Sequence, residues 1–364
     1  MHRLRRSWRW GVVAGVGVVL LLLPLSIASR PTDTPSIVPE ALAQLILRTV
    51  DTPYQGYVSA RGGLQFPDIP RADEAAKLLG EPSSLRAWVD GPSSWRVDEL
   101  TVTGEHDTYK NGGTLWTWDS QEHRARRLAD SSAVRLPRSF DLLPPELARR
   151  LLAGAEPAEL QPIGARRVAG RGAVGVRIVP ASADTIVGFV DVWADPSTGL
   201  ALQVEVTPRG ATHPSFVTRF LEVSFRQPAA STLSFTPPAN ANIADSNSGL
   251  DLVQAADQFQ QASLPDALAG TSRTTAKASA VATYGSGFTV VTVVRARRRD
   301  SDNLLGAAVP ASTRPWGGTA RVLSTPLANI MAITTSRATY VVSGAVTIDV
   351  LDRYAQAISS GGAL

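Results

Sequence analysis

The sequence predicts an α+β protein, mostly antiparallel β. Apolar and polar residues alternate with a period of two over many short runs, turn-forming residues separate those runs, and helical periodicity is confined to a few segments. Leu200, Leu202, Val204 and Val206 fall on one strand face, opposite Ala201, Gln203 and Glu205, and Val174, Val176 and Ile178 repeat the pattern. One face of such strands is buried and the other wetter.

The chain opens differently. Arg3, Arg5, Arg6 and Arg9 precede a stretch without charge from Trp10 to Ser29, whose heart is the run Val18 to Leu23. A charge there would cost about 2.5–3.5 kcal/mol on insertion into a bilayer, so its absence marks residues 1–29 as a signal peptide or an N-terminal membrane anchor. Ser26-Ile27-Ala28 offers the small residues of a cleavage site, while the uncharged stretch is long enough to span a membrane. Both fates stay open, and either places the remainder on the extracytoplasmic face of a bacterial cell membrane.

After a proline-bearing spacer, Val38, Leu42, Leu45, Ile46 and Thr49 recur at helical spacing. From Asp51 the period shortens. Strands are expected near 54–60, 84–90, 94–102, 105–110, 114–119, 123–128, 174–180, 187–194, 200–207 and 216–226, with short helices near 71–80 and 141–153. Lys110-Asn111-Gly112-Gly113 and Asp195-Pro196-Ser197-Thr198-Gly199 read as hairpin loops. Pro237-Pro238 and the small polar residues 239–249 read as a linker. A smaller α+β unit, 250–364, is then expected: a helix near 250–262, strands at 280–284, 288–295, 319–325 and 338–344, a loop over 297–318, and a helix from about 345 to 359.

Charge and chemistry narrow the function. The formal charge is +4, and the leader's four arginines account for all of it. The exported part is balanced, which removes the basic excess that nucleic-acid binding needs. Cysteine is absent, so there is no disulfide, no thiolate metal site and no lipidated cysteine. His106, His123 and His213 lack metal-ligand spacing, and Gly285-Ser286-Gly287 is a hairpin turn rather than a nucleophile elbow. Glu105-His106-Asp107 cannot converge as a trio, because neighbours on a strand point to opposite faces. No catalytic residue, no cofactor and no metal site is expected, and the chain reads as a non-enzyme.

Large apolar side chains sit in the expected strands: Trp88, Trp95, Trp116, Trp118, Phe189, Trp193, Phe216, Phe220 and Phe225. Residue by residue these fill a core. As a set, on a curved sheet with little helical cover, they outline a hydrophobic ligand cavity for which Trp88, Trp95, Trp116, Trp118, Phe189, Trp193, Phe220 and Phe225 are the candidate lining.

Residues 54 to 238 resemble the LolA-like superfamily. The resemblance is carried by Tyr54-Gln55-Gly56-Tyr57-Val58-Ser59, Leu85-Arg86-Ala87-Trp88, Ser94-Trp95-Arg96-Val97-Asp98, Leu115-Trp116-Thr117-Trp118-Asp119, and the run Val190 to Leu202. It implies a LolA-like half-barrel of antiparallel strands wrapping a helix over 30–238. The additional unit at 250–364 is similar to the layout of MucB/RseB-type sigma-factor regulators. That likeness implies a lipid or acylated protein as ligand, contact with the membrane surface, and a membrane anti-sigma factor docked by the C-terminal unit. A lipid or lipoprotein carrier is the alternative.

Overall fold

The computed structural model describes residues 36–63, 73–129, 135–245, 264–275, 280–296, 309–336 and 338–360. The leader, residues 1–29, and the helix expected near 250–262 lie outside them. No helix among the described residues is long and apolar enough to cross a membrane.

The larger part begins with helix α1 (Pro39–Leu47), opened by a proline at its first turn with Glu40 beside it. Both suit the exposed amides and positive end of a helix N-terminus. Leu42, Ala43 and Ile46 form its buried stripe. Strand β1 (Tyr54–Gly62) follows, then α2 (Asp73–Gly80) and a meander of β2 (Pro82–Val89), β3 (Ser94–Leu100), β4 (Glu105–Asn111), β5 (Thr114–Asp119) and β6 (Arg124–Ala129). A 3-10 turn at Ser139–Leu142 leads into α3 (Pro144–Leu152), and five more strands follow: β7 (Leu160–Val168), β8 (Arg171–Ile178), β9 (Val187–Ala194), β10 (Ala201–Pro208) and β11 (Phe216–Ser224). The short helix α4 (Ala230–Leu233) and strand β12 (Asn242–Asp245) come last.

These strands make one twelve-stranded sheet in the order β12-β6-β5-β4-β3-β2-β1-β11-β10-β9-β8-β7. All its pairings are antiparallel except β12 with β6. The inner face carries Val58, Leu85, Val97, Val176, Val192 and Val204, all fully buried, in one cluster with Leu42 and Ile46 of α1 and with Ala148 and Leu152 of α3. Helix α1 packs on α3 and β8, and α3 on β10. The β9–β10 turn is fixed against α1 by a contact that excludes a side chain: Gly199 has φ +78°, and a Cβ there would lie 2.6 Å from Leu45 Cγ. A mostly antiparallel open sheet with helices α1 and α3 packed on it is therefore what these residues build.

The second part has its own six-stranded antiparallel sheet, order β15-β16-β20-β19-β18-β17, made of β15 (Val281–Tyr284), β16 (Val291–Ala296), β17 (Ala311–Thr313), β18 (Thr319–Ser324), β19 (Asn329–Thr334) and β20 (Thr339–Gly344). A two-stranded ribbon, β13 (Ala267–Leu268) with β14 (Thr271–Ser272), lies before it. Helix α5 (Ile348–Ser360) packs on β19 and β20 through Val350, Leu351, Tyr354, Ala355 and Ile358, and these residues share a second buried cluster with Tyr284, Tyr340 and Val342.

Strand β19 and the β13–β14 ribbon are unexpected, and three further segments differ from the sequence expectation. Leu160–Val168 is strand β7 at the sheet edge, where Pro162 and Gly164 are tolerated. The stretch read as a linker contains β12, which adds in parallel to β6. The expected loop over 297–318 contains β17, paired with β18 through Ala311–Thr313.

Candidate functional site

Register decides where the aromatic residues go, because directly opposed residues share a face and successive ones alternate. Trp95 lies opposite Val89, and Phe220 opposite Val58, so both belong to the inner face. Each is packed against another ring. Trp95 stacks on Phe140 with centroids 4.2 Å apart, and Phe220 meets the edge of Tyr54 at 5.8 Å. The Tyr54 hydroxyl donates to Glu146 of α3 at 3.3 Å, and Glu146 is also paired with Arg149. Burial pushes Tyr54 well above the usual phenol range, reinforced by the Glu146 charge.

Five other candidates face the other way. Trp88 lies opposite Arg96, Arg96 opposite Tyr109, Tyr109 opposite Trp116, and Asp107 opposite Trp118. Trp88, Trp116 and Trp118 are therefore on the outer face. Phe189 and Trp193 occupy the same face of β9, since the intervening Val190 and Val192 point to the core. Phe225 lies just beyond β11 under Arg171, 4.2 Å from guanidinium carbon to ring centroid. The eight candidates thus divide by register, with Trp95 and Phe220 on the helix-covered face, while Trp193 and Phe225 reach the same buried cluster from elsewhere.

The outer face is a lattice of arginine, carboxylate and ring. Arg96 stands between Trp88 and Tyr109, 5.1 and 4.8 Å from their centroids, and makes two bonds to Asp98 of 2.6 and 2.7 Å. Arg177 repeats this over Phe189 at 3.9 Å with two bonds to Asp191. Arg166 covers Trp193 at 3.4 Å and pairs with Glu205, while the indole N–H donates to the Gly164 carbonyl in the irregular part of β7. Phe235, just after α4, lays its ring against Tyr109, Trp116 and Trp118, with centroids 4.7, 5.8 and 6.1 Å away. The segment after β11 therefore covers the outer tryptophans.

An acidic group lies beside this lattice. Asp98 is directly opposite Asp107, and Glu105 lies two residues before Asp107 on the same face. One oxygen from each carboxylate falls within 4.8 Å of the others. His106 turns to the opposite face and meets Asp119 at 3.4 Å. Burial, then the Asp98 charge, raises Asp107 to about 6 against the pull of Arg96. The alternation rule correctly separates His106 from its neighbours, but Asp98 completes a cluster from the adjacent strand. Only the pairing of β3 with β4 reveals it, although the Asp98-to-Asp107 spacing around a short turn was a signal in the sequence.

The two sheets meet at a small joint. Ile186 N–H donates to the Ala345 carbonyl at 3.0 Å, Thr347 N–H to the Asp184 carbonyl at 2.8 Å, and the buried Thr185 hydroxyl to Ala345 at 2.7 Å. Arg353 of α5 pairs with Asp184 at 2.7 Å. On the other side of the joint, a Cβ on Gly287 would lie 2.5 Å from the Gly154 carbonyl, so the two backbones touch. Apart from the Gly285-Ser286-Gly287 turn, no sequence motif marked these residues.

No protein-family model and no curated protein matches the chain. Solved structures do. The chain is similar to MucB. The structure of MucB in complex with MucA(peri) shares 16% identity and a TM-score of 0.48, covering 86% of this chain and 96% of that one. The Pseudomonas aeruginosa MucA/MucB complex gives 17%, 0.48, 87% and 97%. A LolA superfamily protein from Nitrosomonas europaea matches at 10% identity and a TM-score of 0.25, over 55% of this chain and 99% of that one. These neighbours are of the two types that the sequence resemblance named.

Proposed function

We propose that the chain is an exported, membrane-associated, non-enzymatic regulator of the MucB/RseB type. In this reading the larger sheet binds a lipid or an acylated protein, and the smaller unit docks a membrane partner such as an anti-sigma factor, so that envelope stress is sensed outside the cytoplasmic membrane. The observation that carries it is the joint. Two sheets with separate buried clusters meet through hydrogen bonds around Thr185 and Ala345, and Phe288, Leu327 and Ala345 of the second part pack against the first cluster. A body so built can couple the loading of one half to the relation between the two, because the second part packs directly on the first part's core. The uncharged leader behind four arginines supports export.

The test uses the full-length chain, purified in detergent from its own membranes. Mass spectrometry of an organic extract and of co-purified proteins reads ligand and partner together. The expected result is a bound lipid or acylated protein and one enriched membrane protein whose retention changes with lipid loading. Lipid that passes to acceptor vesicles with no protein partner would overturn the regulator in favour of a carrier. Recovery of neither would remove both.

A further inference from the structure

We propose that Asp98, Glu105 and Asp107 form a binding site for a hard divalent cation of the calcium class on the outer face of β3 and β4. The three carboxylates come from two adjacent strands and share one face, with Asp98 and Asp107 directly opposed. An oxygen of each lies within 4.8 Å of the other two, close enough for one ion to touch all three. All donors are carboxylate oxygens, the ligand type that calcium and magnesium take.

The balance of charge and of hydrogen bonds points to a ligand. The Asp98 and Asp107 side chains are only 1% and 6% exposed, so two negative groups are buried face to face. Arg96 supplies one positive charge, committed mainly to Asp98, and reaches Asp107 Oδ2 at 3.3 Å. Tyr109 also donates to that same oxygen. Asp107 Oδ1 is left buried without a hydrogen-bond partner. A buried anionic oxygen in that condition calls for an ion, a water or a proton. Three carboxylates against Arg96 and the more distant, half-exposed Arg86 leave a net negative charge, which a cation offsets. The Arg96 bonds do not exhaust Asp98, because each carboxylate oxygen has a further lone pair. Glu105 is 41% exposed and provides the open side for entry and for water ligands, and Arg86, itself half exposed, competes for it at 3.7 Å.

Terbium chloride is the probe, added to the full-length chain freed of divalent ions. Trp118 is directly across from Asp107, so a terbium ion held there is sensitised by the indole. Saturable emission at one ion per chain, displaced by excess calcium chloride, is the expected result. Asp107→Asn and Glu105→Gln should each weaken binding at least tenfold, whereas Arg86→Gln should tighten it by releasing Glu105. Glu105→Gln and Arg86→Gln alter partly exposed side chains, so the test survives if Asp107→Asn fails to fold. Absence of saturable emission up to millimolar terbium would overturn the site. So would emission unchanged by Glu105→Gln.

Discussion

The Thr185 hydroxyl donates a 2.7 Å hydrogen bond to the carbonyl of Ala345, a residue 160 positions further along the chain. Thr185 is fully buried, and the Ile186 amide shares the same acceptor. The hydroxyl also accepts from the Val187 N–H at 3.2 Å, so Thr185→Val removes a donor and an acceptor and should cost about 1–3 kcal/mol. Arg353→Ala, which breaks an ion pair whose members are about half exposed, should cost less than about 1 kcal/mol. Urea unfolding gives both values. Hydrogen exchange at the Ile186 and Thr347 amides should rise in Thr185→Val before exchange rises in either core.

Glycine substitutions separate close contact from backbone strain. Gly287 and Gly112 both have positive φ, +54° and +59°, but a Cβ on Gly112 would meet nothing within 4 Å. Gly112→Ala should cost about 1–2 kcal/mol, from the left-handed backbone alone. Gly287→Ala adds a collision with the Gly154 carbonyl and should cost more, with the excess seen as a loosened joint in limited proteolysis.

Phe235→Ala tests the cover over the outer tryptophans. The ring is partly buried and touches three other rings, so about 1–3 kcal/mol is expected, below the range for a fully buried phenylalanine. Emission from Trp116 and Trp118 should shift to longer wavelength as water reaches them. An unchanged emission spectrum would contradict the packing described.

Asp141 gives a pH dependence. Its carboxyl is buried, which alone would raise its pKa, but the hydrogen bonds and charges of Arg135, the charge of Arg150 and the Arg138 amide outweigh burial and hold it below the ordinary carboxylate range. A group whose folded pKa is depressed adds stability above its unfolded pKa, about 3.9, and loses it as pH falls through the folded value. Asp141→Asn should therefore destabilise by about 3–5 kcal/mol at neutral pH. The difference from the parent chain should shrink below about pH 4. A gap that stays constant down to pH 2 would exclude this role.

Much of this fold could be read from alternation and turns. Strands β1 to β6 and β8 to β11 lie where apolar period and glycine- or proline-bearing loops place them, and the Gly285-Ser286-Gly287 turn joins β15 to β16 as read. Strand β7 was missed because Pro162 and Gly164 break the pattern at an edge that tolerates them. Strand β19 contains Ile330-Met331-Ala332-Ile333, an apolar run without period-two alternation to announce it. Facing was harder than existence. Trp88 and Trp95 are each surrounded by strand-like sequence, yet only pairing across β2 and β3 shows that they point to opposite sides. Aromatic residues favour strands on either face when arginine covers them, so ring content alone does not mark a concave lining.

Strand β12 has a consequence for how the molecule is made and cut. Its partner β6 was synthesised more than a hundred residues earlier (Asn242 pairs with Arg124), so the meander's border stays bare until the chain has passed residue 245. A fragment ended at the proline pair 237–238 would keep that border permanently open, with unpaired amides and carbonyls ready to recruit a neighbouring chain. Such a fragment should aggregate where one ending beyond Asp245 stays monodisperse.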